Sequence, residues 1–404
     1  MSDSAGADAS STLITGIAEL TTNDEANGGR LRGAAVVLEG DRIAWVGAEA
    51  DAPAADHRVD AGGRAALPGW VDSHTHLVFA GDRTAEFEAR MAGESYAAGG
   101  INVTVNATRA ASDAELEANL VRLVGEAQRG GTTTLETKTG YGLTVEDEVR
   151  SARIAGRHVD AVTFLGAHLV PAGADPAAYL ELVTGDMLDA IAPHVSAVDV
   201  FCERGAFDEA ATRQVLESAV EKGLATRVHG NQLGEGPGAR LAVEYGSLSV
   251  DHLGFLSDAD VDAIAGSWAN GTRGTVATVL PACDLSTRMP LAPARRLIDA
   301  GAVLAIASNC NPGTSYTSSM GFGVATAVLQ MGLTVPEAVR AATLGGAAAL
   351  GFDRAGAHGP ARGIIAEGAR ADLQLLDAPS VTHLAYRPGM PLTCAVWRAG
   401  QRVL

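Results

Sequence analysis

Cysteine is scarce in this sequence, and none of it is arranged to hold a metal cluster. The 404 residues include four cysteines, Cys202, Cys283, Cys310 and Cys394, and no two of them have the C-x-x-C spacing. Scattered single thiols are typical of proteins in reducing compartments, where disulfides do not persist. We therefore expect reduced thiols, a cytoplasmic location and no thiolate-bound metal.

Basic residues and long apolar runs are also lacking. Lys and Arg number 30 against 48 Asp and Glu, which gives a net charge of −18. Such a surface repels phosphate groups, so nucleic acid and anionic membranes are not expected partners, and an anionic substrate would need a basic residue of its own. No apolar run approaches the ~18 residues of a spanning helix. Residues 1–11 have neither the basic nor the apolar part of a secretory signal.

The composition that remains, 47% hydrophobic and 19% charged, is that of a globular protein. Short β-branched runs separated by turns occupy residues 13–64, and the Gly40-Asp41 step between two of them indicates a hairpin. Residues 363–400 show the same pattern of short β-branched runs separated by turns. Neither end of the chain alone has enough strands to cover the apolar face of its sheet. We therefore predict a small β-sandwich domain built from residues 1–66 and 359–404, with residues 67–358 inserted between them as a second domain.

Strands and helices alternate in the inserted part. Ser112 with Glu115 and Thr334 with Glu337 have the spacing of capping boxes, and Asp208 is placed to begin another helix. Eight strand-like runs recur between such stretches, at 70–76, 132–138, 161–168, 197–203, 225–230, 248–252, 274–280 and 302–309. Eight such units predict an α/β fold, a (β/α)8 barrel of the TIM type, with functional residues at the C-terminal ends of its strands.

Histidines concentrate at these strand ends. Half of the ten lie at or just past the end of a predicted strand: His74, His76, His168, His229 and His252. The other half are interpreted as ordinary surface or packing residues: His57, His158, His194, His358 and His383. Because the barrel would bring the first group to one rim, a metal site there is favoured over chance.

Three of these histidines have the chemistry of metal ligands. His74 and His76 are separated by one residue, so an extended backbone would point both rings to the same side. Alone, such a pair is as easily a chance feature of a polar loop. With His229 it supplies three nitrogens, which suits zinc or iron and leaves positions for water and an oxygen ligand. His252 is placed to move protons, and its alternative is a purely structural role.

The order of these residues resembles the metal-dependent amidohydrolase superfamily, which has His-x-His after the first strand, a His on the fifth, a His on the sixth and an Asp on the eighth. Within it the sequence is similar, over nearly the whole chain, to the imidazolonepropionase family. The similarity rests on separate runs at 136–143 (ETKTGYGL), 164–171 (FLGAHLVP), 228–232 (VHGNQ), 250–253 (VDHL) and 310–314 (CNPGT). The resemblance implies one zinc or iron ion, a homodimer, and hydrolytic opening of the ring of 4-imidazolone-5-propanoate to N-formimidoyl-L-glutamate in histidine degradation.

The resemblance also implies residue roles. His74, His76 and His229 would bind the metal, and His252 and Gln232 would act in catalysis. The residues implied in substrate binding are Arg83, Tyr141, His168, Gln232, Asn311, Gly313 and Thr314. A guanidinium can hold a carboxylate with two hydrogen bonds, which suits Arg83 to the substrate's propionate; its alternative is a surface ion pair.

Two positions depart from simple expectations. Lys138 falls on the second predicted strand, whereas the carbamylated lysine of related two-metal enzymes is on the fourth, so we interpret Lys138 as structural.

Asn309 stands where the family pattern has a metal-binding Asp. Its amide oxygen could still reach a metal, but it is uncharged and accepts no proton, so weaker metal binding and reduced or abolished activity are expected. An engineered change, a natural variant of low activity and a diverged relative with His252 as its base would each account for Asn309.

Other functions fit parts of the pattern. A deaminase, or a hydrolase of another cyclic amide, would keep the metal site, but a neutral heterocycle would not need Arg83. A ligand-binding protein with an impaired catalytic site is the third possibility, and Asn309 is its motivation.

Overall fold

The computed structural model describes residues 10–93, 100–271 and 273–404. Its strands follow the predicted division of the chain. The N-terminal strands are β1 (Ser11–Thr21), β2 (Arg30–Glu39), β3 (Arg42–Ala48), β4 (His57–Asp60) and β5 (Ala65–Pro68). The central strands are β6 (Trp70–Asp72), β7 (Thr132–Lys138), β8 (Ala161–Ala167), β9 (Ala197–Cys202), β10 (Ala225–Gly230), β11 (Ser249–His252), β12 (Val276–Val279) and β13 (Leu304–Ile306). The C-terminal strands are β14 (Leu373–Leu376), β15 (Thr393–Arg398) and β16 (Gln401–Arg402).

Both chain ends contribute to one mixed sheet. Its strand order is β16-β15-β14-β5-β1-β2-β3, with β4 paired to β1. The two ends meet where β14 runs antiparallel to β5, with Gln374 opposite Leu67. The hairpin predicted at Gly40-Asp41 joins β2 to β3, with Glu39 opposite Arg42. The expected β domain built from both termini is confirmed, while its bounds at residues 66 and 359 stay a prediction.

The eight central strands form a parallel barrel, as predicted. Each strand pairs with the next in sequence from β6 to β13. Backbone hydrogen bonds just past the strand ends join the first strand to the last: the N–H of Asn309 donates to the carbonyl of His74 at 3.0 Å, and the N–H of His76 donates to that of Cys310 at 2.9 Å. The barrel mouth is therefore held at the segment that carries two candidate metal ligands.

The first barrel strand is shorter than predicted. We expected it to extend over 70–76, but β6 ends at Asp72. Beyond it, the backbone N–H of Thr75 donates to Glu136 Oε2 at 3.1 Å, and that of Leu77 donates to Thr137 Oγ1 at 2.8 Å. The N–H of Lys138 also donates to the carbonyl of Thr75 at 2.9 Å, so backbone hydrogen bonds continue on both sides of the segment past the end of β6, with these side-chain bonds added to them.

The helices begin where the sequence places capping residues. Ser112 and Thr334 each form a complete capping box, with Glu115 and Glu337 respectively, and Asp208 caps another helix. The helices are α1 (Thr84–Met91), α2 (Ile101–Ala110), α3 (Asp113–Arg129), α4 (Val145–Ala155), α5 (Pro176–Thr184), α6 (Asp186–Ile191), α7 (Glu209–Glu221), α8 (Gly238–Glu244), α9 (Asp258–Gly266), α10 (Pro281–Thr287), α11 (Ala294–Asp299), α12 (Met320–Gln330), α13 (Val335–Arg340), α14 (Gly346–Leu350) and α15 (His383–Tyr386). A π-helical turn, Ala341–Gly345, joins α13 to α14. Within the described ranges, no helix has the length and apolar character needed to cross a membrane.

An ion cluster links the C-terminal segment to the barrel. Asp160, which precedes β8, accepts hydrogen bonds from Arg362 at 2.7 Å, Arg370 at 3.0 Å and Arg398 at 3.2 Å. Burial alone would raise the pKa of Asp160, but the three guanidinium groups hold it below its usual range. The carboxylate therefore stays charged and anchors this segment at the N-terminal end of β8.

Candidate metal and active site

The histidines predicted at strand ends meet at one mouth of the barrel. His74 and His76 follow β6, His168 follows β8, and His229 and His252 lie at the ends of β10 and β11. The ring centre of His229 is 4.5 Å from that of His74 and 5.2 Å from that of His252. The ring centre of His168 is 5.7 Å from that of His76. Four strands thus bring their histidines to a single point, as the C-terminal face of a barrel allows.

His74, His76 and His229 form the group best suited to a metal ion. One nitrogen from each lies within 4.8 Å of the others, and all three residues are buried. The Nε2 atoms of His74 and His76 are 3.3 Å apart. A tetrahedral ion with metal–nitrogen bonds of about 2.0–2.1 Å holds two nitrogens about 3.4 Å apart, so the spacing suits one shared ion. Burial holds the pKa of His74 and of His76 well below the usual value, which keeps both rings neutral and able to coordinate.

Two buried carboxylates orient these rings from behind. The Nδ1–H of His74 donates to Asp251 Oδ2 at 2.6 Å, and Nδ1 of His229 lies 3.1 Å from Asp199 Oδ2. A carboxylate on Nδ1 fixes the tautomer that leaves the Nε2 lone pair for a metal. His74 is therefore set up as a ligand through Nε2, and Asp199 lies within ion-pair distance of Nδ1 of His229, on the opposite side of that ring from Nε2.

Two buried polar atoms near the three histidines lack hydrogen-bond partners among the described residues, which bears on whether a metal ion fits there. In the described ranges, Nε2 of His229 and Oδ1 of Asn309 are buried and have no hydrogen-bond partner. The amide nitrogen of Asn309 donates to Thr314 Oγ1 at 3.1 Å, which leaves its oxygen as the available atom. Buried polar atoms are normally satisfied, and an ion among the three histidines would use both lone pairs. The side chains present fit a metal ion with three nitrogen ligands and one neutral oxygen.

The backbone is strained around the same mouth. Asn231, His252, Leu253 and Asn309 have positive φ angles of 56°, 85°, 63° and 55°. Residues other than glycine seldom adopt this conformation, and where they do it is often at a functional site. These turns direct His252 and Asn309 inward at the strand ends, and nothing in the sequence pattern predicted the strain.

A layer of charged side chains lies beneath the histidines. Lys138 Nζ is 3.0 Å from Glu136 Oε1 and 2.8 Å from Asp199 Oδ2, and all three side chains are fully buried. Arg227 Nη2 lies 3.2 Å from Asp251 Oδ2. Burial raises the pKa of Asp199, but His229 and Lys138 outweigh it and hold that pKa well below the usual range. Lys138 thus acts on the carboxylates that orient the histidines, which agrees with its interpretation as structural.

His252 and His168 flank the metal group as neutral rings. Burial, together with the neighbouring His229, holds the pKa of His252 well below its usual value. Burial lowers the pKa of His168 to about 4. The Nδ1–H of His168 donates to the carbonyl of Gly140 at 3.0 Å, so its Nε2 carries the lone pair. Both rings are therefore neutral near neutral pH and can accept hydrogen bonds.

A narrow cavity beside the histidines collects most of the predicted substrate-binding residues. Its lining includes five of them: Arg83, Tyr141, His168, Asn311 and Thr314. Ile101, Leu169 and Phe201 complete the wall. Segments far apart in sequence therefore meet in one polar-lined space, as expected for a small-molecule site.

Gln232 and Gly313 lie at the edges of this arrangement. The Nε2 of Gln232 is 4.0 Å from the thiol of Cys283, and its backbone N–H donates to Glu203 Oε1 at 2.5 Å. Gly313 packs directly on Arg83, because a Cβ at this glycine would lie 2.2 Å from Nη1 of Arg83. Gly313 thus lies against Arg83, whereas Gln232 is not among the residues that line the narrow cavity.

Arg83 is neither free nor on the surface. Its guanidinium forms two hydrogen bonds with the carboxylate of Glu86, from Nε at 2.9 Å and from Nη2 at 2.7 Å. The side chain of Arg83 is only 5% exposed. A substrate carboxylate and a surface ion pair were the two partners expected for Arg83, and the structure shows a buried ion pair with Glu86 at the edge of the cavity.

Several residues of the site were missed from sequence, and most of them carried a signal. Asp199, Asp251, Glu136 and Arg227 all lie within barrel strands that otherwise consist largely of apolar residues and threonine. Charged residues at buried strand positions are costly unless they are paired, so each of them pointed to a partner inside the barrel. Glu86 had no comparable signal, because it lies on an ordinary helix face.

The sequence profile of the amidohydrolase family matches residues 65–396. An imidazolonepropionase of Arthrobacter sp. strain FB24 is 66% identical over 400 residues, which cover 97% of this chain and 99% of that protein. An imidazolonepropionase of Streptomyces coelicolor is 58% identical over 400 residues, with the same coverage.

Solved structures of other enzymes share the fold. A zinc-bound adenosine deaminase from Xanthomonas campestris superposes with a TM-score of 0.71 at 21% identity, covering 97% of this chain and 92% of that one. An atrazine chlorohydrolase from Arthrobacter aurescens complexed with zinc gives 0.70 at 17% identity, covering 97% and 95%. At these identities the likeness concerns the fold alone. The high-identity relatives do not favour the deaminase or binding-protein alternatives.

Proposed function

The chain belongs to the amidohydrolase family, and within it to the imidazolonepropionases, and from this premise we propose that its barrel mouth opens the ring of 4-imidazolone-5-propanoate with water to give N-formimidoyl-L-glutamate. Membership makes the chain a hydrolase of a carbon–nitrogen bond in a cyclic amide, acting on a small molecule. The observation that carries the proposal is the convergence of His74, His76 and His229 within 4.8 Å.

These three histidines, with Asn309, are the proposed metal ligands. Zinc and iron both accept such a set, and the zinc in the fold neighbours supports zinc as the first ion to test. Bound there, the ion supplies Lewis acidity, which polarises a carbonyl group and lowers the pKa of water.

The reaction needs a base and then an acid. Water adds to the ring carbonyl carbon and loses a proton, the carbonyl carbon–nitrogen bond breaks, and the departing nitrogen gains a proton. Neutral, buried His252 is suited to accept the first proton and return it to the nitrogen, and its Nδ1 has no hydrogen-bond partner within the described ranges. Asn309 accepts no proton, so His252 is the proposed base.

The remaining residues hold the substrate. Arg83 is proposed to bind the propionate, with the backbone of Gly313 packed on its guanidinium. Tyr141 and His168 are proposed to contact the ring, and Nε2 of His168 is available as an acceptor. Asn311, Thr314 and Gln232 supply further amide and hydroxyl contacts. A fixed orientation of this kind lowers the entropic part of the barrier.

Asn309 is proposed to limit the activity. We expect Asn309→Asp to raise both metal affinity and turnover, because an anionic ligand is restored where the unpaired Oδ1 now lies. The measurement is metal content after dialysis, together with loss of the imidazolone absorbance in zinc- and iron-loaded protein.

Asn311→Asp is the matched control for this experiment. It adds the same charge two residues away, but Oδ1 of Asn311 already accepts from the N–H groups of Gly313 and Thr314, at 2.8 and 3.3 Å. Metal content should not rise in the control. Equal metal content and turnover in Asn309→Asp and the parent protein would contradict a ligand role for position 309.

We also propose a cytoplasmic location and a homodimeric assembly. None of the four cysteines is in a disulfide, which supports the proposed cytoplasmic location. The family implies a homodimer, and sedimentation velocity would test it.

A further inference from the structure

The ion pair of Arg83 and Glu86 has the geometry of a bound carboxylate. Nε and Nη2 of Arg83 donate to the two oxygens of Glu86 in the side-by-side arrangement that guanidinium groups make with carboxylate ligands. The Glu86 side chain is 29% exposed, whereas that of Arg83 is 5% exposed. The cation is therefore fixed in the wall, and the carboxylate is the member with room to move.

Two glycines from distant segments enclose this pair. A Cβ at Gly313 would lie 2.2 Å from Nη1 of Arg83, and a Cβ at Gly100 would lie 2.2 Å from Oε2 of Glu86 and 2.5 Å from Nη2 of Arg83. Any side chain at either glycine would collide with the pair. The backbone is thus shaped around one guanidinium and one carboxylate, which distinguishes this site from a surface ion pair.

Arg83 also stands between two cavities. With Thr314 it borders the narrow cavity of Tyr141 and His168, which has space of about 30 Å³, enough for about one water. Arg83 and Thr314 also border an outer cavity of about 500 Å³, whose walls include Phe87. A ligand whose ring lies near the histidines would have its tail at Arg83, whose guanidinium is already hydrogen-bonded to the carboxylate of Glu86.

A second cation offers Glu86 another partner. Nη1 of Arg90 is 3.9 Å from Oε1 of Glu86, one helical turn further along α1. Arg90 is itself held by the carbonyl of Gly313, to which it donates at 3.1 Å. A small rotation of the Glu86 side chain would therefore exchange Arg83 for Arg90 without moving either arginine.

We propose that Glu86 occupies the carboxylate position of the substrate's tail, and that binding exchanges one carboxylate for the other on Arg83 while Glu86 turns to Arg90. The proposal rests on the proposed role of Arg83 in substrate binding. In the empty site Glu86 neutralises a buried guanidinium, whose charge would be costly if left unpaired. Glu86 also competes with every carboxylate ligand, so it sets the affinity for the tail and leaves ligands without a carboxylate unaffected.

Glu86→Gln tests the exchange, with Glu88→Gln as the matched control. Both changes remove one negative charge from α1, but only Glu86 contacts Arg83, and Glu88 is exposed. The probes are 3-(imidazol-4-yl)propanoate and the neutral 4-propylimidazole, titrated calorimetrically into the zinc-loaded protein. Because a neutral amide holds a guanidinium less tightly than a carboxylate, Glu86→Gln should bind the propanoate about tenfold more tightly. Its affinity for 4-propylimidazole, and both affinities of Glu88→Gln, should stay unchanged.

Ring-opening kinetics give a second measurement. Glu86→Gln should lower KM for 4-imidazolone-5-propanoate by a similar factor with kcat little changed, since only the tail is affected. Unchanged or weaker propanoate binding in Glu86→Gln would overturn the exchange, as would an equal gain in Glu88→Gln.

Arg83→Met separates this failure from failure of the proposed function. If the exchange is wrong but Arg83 binds the tail, Arg83→Met weakens the propanoate and not 4-propylimidazole, while Glu86→Gln changes nothing. If Arg83→Met leaves both affinities unchanged, Arg83 is not the carboxylate site, and the proposed role and the exchange fail together.

Discussion

Asp251 provides a test of how the buried carboxylates support the metal site. Oδ2 of Asp251 accepts the Nδ1–H of His74 at 2.6 Å and lies 3.2 Å from Nη2 of Arg227. Asp251→Asn keeps the shape and removes the charge from both contacts. The change should therefore weaken metal binding through His74 and destabilise the folded protein through Arg227.

The two effects have different magnitudes. Loss of the partner that orients a metal-bound histidine costs about 10- to 100-fold in metal affinity, or about 1.4–2.8 kcal/mol. Removing one member of a buried ion pair costs about 3–5 kcal/mol of unfolding free energy. Arg227 is 1% exposed but keeps a hydrogen bond to the carbonyl of Ser73 at 2.7 Å, so we expect the lower end, about 3 kcal/mol.

Two assays separate the effects. Zinc affinity is measured by competition with a chromophoric chelator, and unfolding free energy is measured by urea denaturation of the metal-free protein. Asp284→Asn is the control, because Asp284 in α10 is buried like Asp251, but its Oδ2 accepts from the N–H of Ala292 at 3.2 Å and from no histidine. If Asp251→Asn and Asp284→Asn bind zinc equally well, Asp251 does not support the metal site.

Two further predictions concern the neutral histidines. His252→Gln should lower kcat by about 10²–10⁴ with metal content unchanged, and metal loss in proportion to activity would instead make His252 a support of the metal site. The pKa of His168 is about 4 in the folded protein and about 6.5 in the unfolded chain, so between these pH values only the unfolded chain binds a proton at His168. The free energy of unfolding is therefore highest above pH 6.5 and falls by about 3 kcal/mol towards pH 4 because of this residue. In metal-free His168→Gln, the unfolding free energy should therefore change less steeply with pH over this range, by the equivalent of one proton. If urea denaturation at several pH values gives the same pH dependence for this variant and the parent protein, the low pKa is contradicted.

The fold could be predicted from sequence where local signals and burial agree. The second barrel strand was expected at 132–138 and is Thr132–Lys138, because a fully buried parallel strand gives a continuous run with turn signals at both ends. The capping boxes at Ser112 and Thr334 were predictable because each needs only residues three positions apart. The first barrel strand was predicted too long, because beyond Asp72 the N–H groups of Thr75 and Leu77 donate to side chains of the next strand, which no local pattern reveals.

The site was predictable in its residue types and not in its pairings. His74, His76 and His229 could be found because histidine is unusual at strand ends and the barrel gathers those ends. The contact of His74 with Asp251 joins residues 177 positions apart, and its existence depends on the register of the intervening strands. The pairing of Arg83 with Glu86 is local, but an i,i+3 ion pair on a helix usually lies in solvent, so sequence alone did not indicate that Gly100 and Gly313 bury it.

The charges below the histidines bear on the effect of Asn309. Glu136, Asp199 and Asp251 face Lys138 and Arg227, so three carboxylates meet two cations and leave one negative charge. With a divalent ion above this layer, the net charge of the ion, the layer and position 309 is +1 when that position is Asn and zero when it is Asp. The uncompensated positive charge weakens metal binding, but it also lowers the pKa of water at the ion. Each unit by which that pKa falls raises the ionised fraction of the water about tenfold. His252 is the proposed base in either case, and Asn309→Asp adds a carboxylate that can also accept the proton of the water, so turnover should rise together with metal affinity.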